Sequence, residues 1–133
     1  MTKKVIHFRG WWKQSDLQAN PKHLFIFGDN DIERGKGGQA IIRDEPNAFG
    51  IPTKKLPSLR AGSFYTDEEL EDNKKKIDNA IHKILHEFYT KEYDTLVFPE
   101  DGLGTGYAQL QVRAPKTYQY LTSKVDCITQ LFS

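Results

Sequence analysis

An α/β fold built on a mostly parallel sheet follows from three observations. Short apolar runs alternate with longer amphipathic ones, the inner runs are apolar on both faces, and glycine-rich segments follow two of them. Such alternation places helices on both faces of a parallel sheet. A chain of 133 residues has room for one core of ordinary size, so residues 1–133 are expected to form one domain.

Val5-Ile6-His7-Phe8 predicts the first strand, and Leu24-Phe25-Ile26-Phe27 a second that is apolar throughout and therefore central. Trp11-Trp12 and the Asn20-Pro21 turn predict a loop between them. A short helix is expected to start in the first glycine segment and to carry Ala40-Ile41-Ile42. Glu45-Pro46-Asn47 ends it, because proline disfavours helical geometry in the residue before it. Ala48 to Thr53 predicts a third strand, with Pro52 marking a strand end. Leu56 to Tyr65, with Pro57, Gly62 and two serines, reads as loop.

Thr66 and Glu69 have capping-box spacing, and Leu70, Ile77, Ile81, Ile84 and Phe88 recur at helical intervals. They predict a long helix whose Lys74-Lys75-Lys76 run faces water. Thr95 to Phe98 predicts a fourth strand, Leu110 to Leu121 a helix, and Cys127 to Phe132 a last strand. Cys127 is the only cysteine, which excludes an internal disulfide or a cysteine-based zinc site, and it reads as a core residue. His82 and His86 share a helix face, but two ligands without a third make a poor metal site.

A net charge of +1 provides no global field to recruit nucleic acid. No stretch approaches the roughly 18 to 20 apolar residues that span a bilayer, and the run after Met1-Thr2-Lys3-Lys4 is too short for a signal peptide. The chain therefore reads as cytoplasmic, with no membrane partner.

The chemistry-bearing motifs lie where strands end. Gly28-Asp29-Asn30 leads into Gly35-Lys36-Gly37-Gly38, and Asp101-Gly102-Leu103-Gly104-Thr105-Gly106 is followed by Tyr107. Glycines let backbone approach a ligand, and successive N–H groups form an anion cradle, so the two loops suggest a diphosphate held between them. The first is not a Walker loop, lacking its gap and its Lys-Ser/Thr pair. In the second, Thr105 offers a hydroxyl, and the positive end of the following helix, from near Ala108, would point at the same place. Strands alternate their faces, so one of Lys54 and Lys55 should reach the pocket. That lysine is either a nucleophile or a phosphate-pairing or surface residue. Trp11 or Trp12 is placed to stack on a base while the other packs in the core. Asp29, Asp31 and Asp101 are positioned to orient ribose hydroxyls or to cap turns.

Asn30 to Ala40, Ile51-Pro52-Thr53-Lys54-Lys55 and Pro99 to Leu110 together resemble the macrodomain family, over about Val5 to Leu121. The likeness is greatest to the branch of terminal ADP-ribose glycohydrolases and of antitoxins that remove ADP-ribose from DNA. The chain also looks like small phage-associated proteins with Phe-Gly-Asp-Asn, Gly-Lys-Gly-Gly and Gly-Leu-Gly-Thr-Gly motifs. The resemblance implies a three-layer α/β/α fold with a mostly parallel mixed sheet, a pocket for ADP-ribose or a related nucleotide, and no cofactor. It implies a ligand set of Trp11, Asp29, Asn30, Gly35, Lys36, Gly37, Gly38, Thr53, Gly102, Leu103, Gly104, Thr105, Gly106 and Tyr107. It places on Lys54 the lysine that attacks the distal ribose.

This chain departs from that branch at two carboxylates. Gly106 stands where an aspartate resolves the adduct, leaving Asp101 as the nearby candidate, and Gly10-Trp11 replaces a Gly-Asp pair that reads adenine. Three functions follow as alternatives: hydrolysis of an ADP-ribosyl linkage on a macromolecule, non-catalytic sequestration of a signal nucleotide, or nucleic-acid binding through Lys54, Lys55, Arg60 and Lys74 to Lys76.

Overall fold

The computed structural model describes residues 2–133; Met1, the first residue of the amino-terminal segment read above, lies outside the described residues. Four strands, β1 (Lys4–Phe8), β2 (His23–Asn30), β3 (Ala48–Lys54) and β4 (Thr95–Pro99), form one sheet in the order β1-β4-β2-β3. All three strand pairings are parallel. The mixed character implied by the resemblance is not seen among the described residues, apart from one isolated antiparallel bridge between Lys54 and Phe64.

β2 and β4 are central because their apolar residues serve two cores. Leu24, Ile26, Leu96 and Phe98 pack with Ile77, Ile84 and Phe88 of helix α2 (Leu70–Thr90) and with Leu121 and Ile128 of helix α4 (Pro115–Leu131). Phe25, Phe27 and Val97 face the other way, onto Trp12, Leu17, Ala40 and Ile42. Leu17 lies on the short helix α1 (Gln14–Gln18), and Ala40 and Ile42 on a 3-10 helix (Gly38–Ile42). Each fully buried Leu, Ile or Phe contributes about 1.5–3 kcal/mol by leaving water, so the two clusters hold the helical layers to the sheet.

Several expectations need correction. Residues 14–18 are helix rather than loop, started where the Asp16 carboxylate accepts the Lys13 N–H at 2.7 Å. Thr66 precedes a single 3-10 turn (Asp67–Glu69), and its side chain caps nothing. Its carbonyl accepts from Asn73, while Asp67 caps α4 by accepting the N–H groups of Lys116 and Thr117. Burial pushes the Asp67 carboxyl upward, but the donors around it outweigh burial and hold it below the usual range.

The helix expected over Leu110 to Leu121 is broken into α3 (Leu110–Arg113) and α4. Pro115 forces the break, because the residue before proline is kept out of helical geometry, and Ala114 adopts φ −144°, ψ 68°. The expected last strand, Cys127 to Phe132, is the end of α4, and Cys127 is exposed rather than core. Of the lysine run, only Lys75 faces water freely. Lys74 lies over Tyr120, and Lys76 pairs with Asp31 at 2.7 Å. His82 and His86 are exposed, and no cluster suited to a metal ion occurs among the described residues. No helix of the described residues is long and apolar enough to cross a membrane.

Candidate functional site

Neighbouring strands β2 and β4 send their chains to opposite faces of the sheet. β2 leads to the 3-10 helix in one core, and β4 leads to α4 in the other. Their carboxyl ends therefore splay apart and open a crevice, the place where open α/β sheets bind ligands. A cavity of about 710 Å³ occupies it, walled by both glycine loops.

The first loop is held by its own side chains. Asn30 donates to the Arg34 carbonyl at 2.7 Å and accepts the Arg34 N–H at 3.3 Å, closing the turn. Arg43, from the 3-10 helix end, grips the buried Asp29 with two nitrogens, at 2.8 and 2.5 Å, and also donates to the Gly35 carbonyl at 2.8 Å. Asp29 and Asn30 thus line the cavity but spend their side chains on the loop. Lys36 does not line it, because its ammonium pairs with Asp44. Asp31 is also committed, accepting from the Tyr65 hydroxyl and pairing with Lys76. Burial and the Asp31 carboxylate push the Tyr65 phenol up, so it remains a neutral donor.

Gln39 and Arg43 escaped the sequence reading. Gln39 bridges the loops: its side-chain oxygen accepts the Gly28 N–H and its nitrogen donates to the Gly102 carbonyl, both at 2.9 Å. Its own carbonyl accepts the indole N–H of the buried Trp12 at 3.0 Å. The only sequence signal was its position, immediately after the glycines.

The second loop is shaped by its glycines. Gly102 and Gly104 have φ of +92° and +78°, the left-handed region that glycine enters at no steric penalty. Gly104 also lies where a side chain would strike Leu110 and Thr53. Gly104, Thr105, Gly106, Tyr107 and Asp101 line the cavity, whereas Gly102 and Leu103 do not. Leu103 is buried in the α2/α4 core, and the Gly102 carbonyl is used by Gln39. The helix that follows, α3, is four residues long and too short to aim a dipole at the cavity as expected. Among the described residues no group accepts from the N–H of Gly35 to Gln39 or of Leu103 to Ala108.

β3 contributes Thr53 and Lys54 together. A bulge opposite Asp29 and Asn30 breaks the two-residue alternation, so both neighbours line the cavity. Lys54 is buried, with its ammonium 5.0 Å above the Phe64 ring and no carboxylate paired to it among the described residues. Burial, then the positive Arg113 on the same ring, lowers the Lys54 amine below its usual range. Lys55 points elsewhere and pairs with Glu69. Trp11 is 79% exposed at the cavity mouth, while Trp12 is core. Of the cations considered for nucleic acid, Lys55, Lys74 and Lys76 are neutralised by Glu69, Glu71 and Asp31.

No curated protein and no solved structure matches this chain. Residues 7–124 match a family of unknown function (DUF7831), and the chain belongs to that family.

Proposed function

We propose that the cavity binds ADP-ribose or a related nucleotide in a macrodomain-like manner, with the diphosphate between the two glycine loops. The observation that carries this reading is the pair of backbone runs, Gly35 to Gln39 and Leu103 to Ala108, whose N–H groups have no acceptor among the described residues and which, Lys36 and Leu103 apart, line one cavity. Such runs suit an anion whose several oxygens accept at once. Exposed Trp11 supports a base at one end, since stacking on an aromatic ring contributes about 1–3 kcal/mol. Calorimetry with ADP-ribose tests the reading: micromolar binding is expected, and no binding at millimolar concentration to ADP-ribose or its relatives overturns it.

A buried, unpaired Lys54 favours a second reading, hydrolysis of an ADP-ribosyl linkage. Its amine attacks C1 of the distal ribose, the bond from C1 to the macromolecule breaks, and the leaving group takes a proton; water then releases the sugar. With Asp29 held by Arg43, Asp101 is the lining carboxylate free of an ion pair to help that water. Lys54→Ala should abolish turnover and retain binding. Recovery of an ADP-ribosylated substrate unchanged after long incubation with the parent protein assigns sequestration instead.

A further inference from the structure

The cavity has two apolar ends, and they lie at opposite edges of the sheet. Trp11 follows edge strand β1, while Pro57 and Leu59 follow edge strand β3. Three strand intervals of about 4.8 Å separate those edges, roughly 14 Å, with both donor loops between them. Leu59 is 65% exposed and, with Pro57, gives the cavity an apolar wall at that edge. A ribose brings hydroxyls that Leu59 and Pro57 cannot bond, whereas a planar base covers both with apolar area.

From this arrangement we infer that the ligand is a dinucleoside diphosphate with a base at each end, the second a neutral purine lying on Leu59 and Pro57. The inference rests on the diphosphate reading above and names its ligand class. Charge selects the second base. Arg34 and Lys54 line the cavity at the β3 end, and neither is paired to a carboxylate among the described residues. Both are donors without acceptor capacity, so they complement the ring nitrogens of a purine and repel a cationic pyridinium. The Tyr107 ring lies against Gly37 and Gly38 of the first loop.

Calorimetry on the full chain compares diadenosine diphosphate, ADP-ribose, and the nicotinamide–adenine dinucleotide in oxidised and reduced forms. Diadenosine diphosphate should bind at least tenfold tighter than ADP-ribose, and the reduced dinucleotide tighter than the oxidised one. Leu59→Ser, at an exposed position, should erase most of the first difference while the melting temperature stays unchanged. Equal or tighter binding of ADP-ribose overturns the inference and leaves the diphosphate reading standing. An undiminished preference for diadenosine diphosphate in Leu59→Ser does the same. Binding of none of these compounds overturns both.

Discussion

The two glycine loops border one cavity but are built in opposite ways. The loop after β2 is pinned by side chains: Asn30 closes its turn, and Arg43 ties Asp29 to the Gly35 carbonyl. The loop after β4 owes its path to left-handed glycines and to backbone bonds, from the Gly102, Leu110 and Gln109 N–H groups to the Pro99, Gly104 and Gly106 carbonyls at 3.0, 2.8 and 3.1 Å. A side chain that holds a loop is not free to hold a ligand, so in the first loop the polar residues are structural. In both loops a run of backbone amides is left without an acceptor among the described residues, and Gln39 ties the two loops together.

The largest effect should come from breaking the first loop's anchor. Asp29 and Arg43 are both largely buried, and removal of one partner strands a buried charge. Arg43→Ala is expected to destabilise the protein by about 3–5 kcal/mol in urea denaturation. A loss under about 1 kcal/mol would show that the loop does not depend on this pair. The second loop should fail by strain instead. A methyl group at Gly104 would lie 2.9 Å from Leu110 Cβ and 3.2 Å from Thr53 Cβ, at a positive φ. Gly104→Ala should therefore lose about 2–4 kcal/mol, overpacking adding to backbone strain, and weaken nucleotide binding at least tenfold. Gly106, with open space around it, provides the contrast: Gly106→Ala should change stability by less than about 1 kcal/mol.

How far the sequence discloses this arrangement depends on the range of the forces involved. The strands were legible because Leu24 to Phe27 and Leu96 to Phe98 are apolar on both faces, a purely local signal. The glycine loops were legible for the same reason; that one tryptophan of the pair packs in the core was legible too, but that it is Trp12 is set by tertiary contact. The carboxyl end was misread because Cys127 to Phe132 is rich in strand-favouring residues, while Leu121, Val125, Ile128 and Phe132 carry a helical period that spans the segment boundary. Asp29, Asn30, Asp31 and Lys36 looked like ligands because their partners, Arg43, Arg34, Tyr65, Lys76 and Asp44, are chosen by tertiary contact. Gln39 was missed for the converse reason: its bond to Gly102 joins residues far apart in the chain.

A smaller effect separates β3 from both loops. Lys54 titrates below its usual value near 10.5 because it is buried and faces Arg113. Between the folded and unfolded values the unfolded chain binds more protons, so stability should rise with pH through that window, up to about pH 10.5. Lys54→Met should flatten that rise and stabilise the protein slightly at neutral pH. A rise of the same size in the variant would assign it to another group.

The smallest expected effect is the sharpest test of the recognition proposed for the loops. Lys36 is the cation that the motif Gly35-Lys36-Gly37-Gly38 advertises, yet its ammonium is on Asp44, with both side chains about half exposed. Exposed pairs of this kind contribute about 0–1 kcal/mol, so Lys36→Ala should leave stability within about 0.5 kcal/mol of the parent. Nucleotide affinity should also stay within about twofold, since the amides of Gly37 and Gly38 survive the substitution and the charge never lay in the cavity. A tenfold loss would mean that Lys36 leaves Asp44 for the ligand. Recognition by the first loop would then rest on a side chain, and its contrast with the second loop would widen from architecture to chemistry.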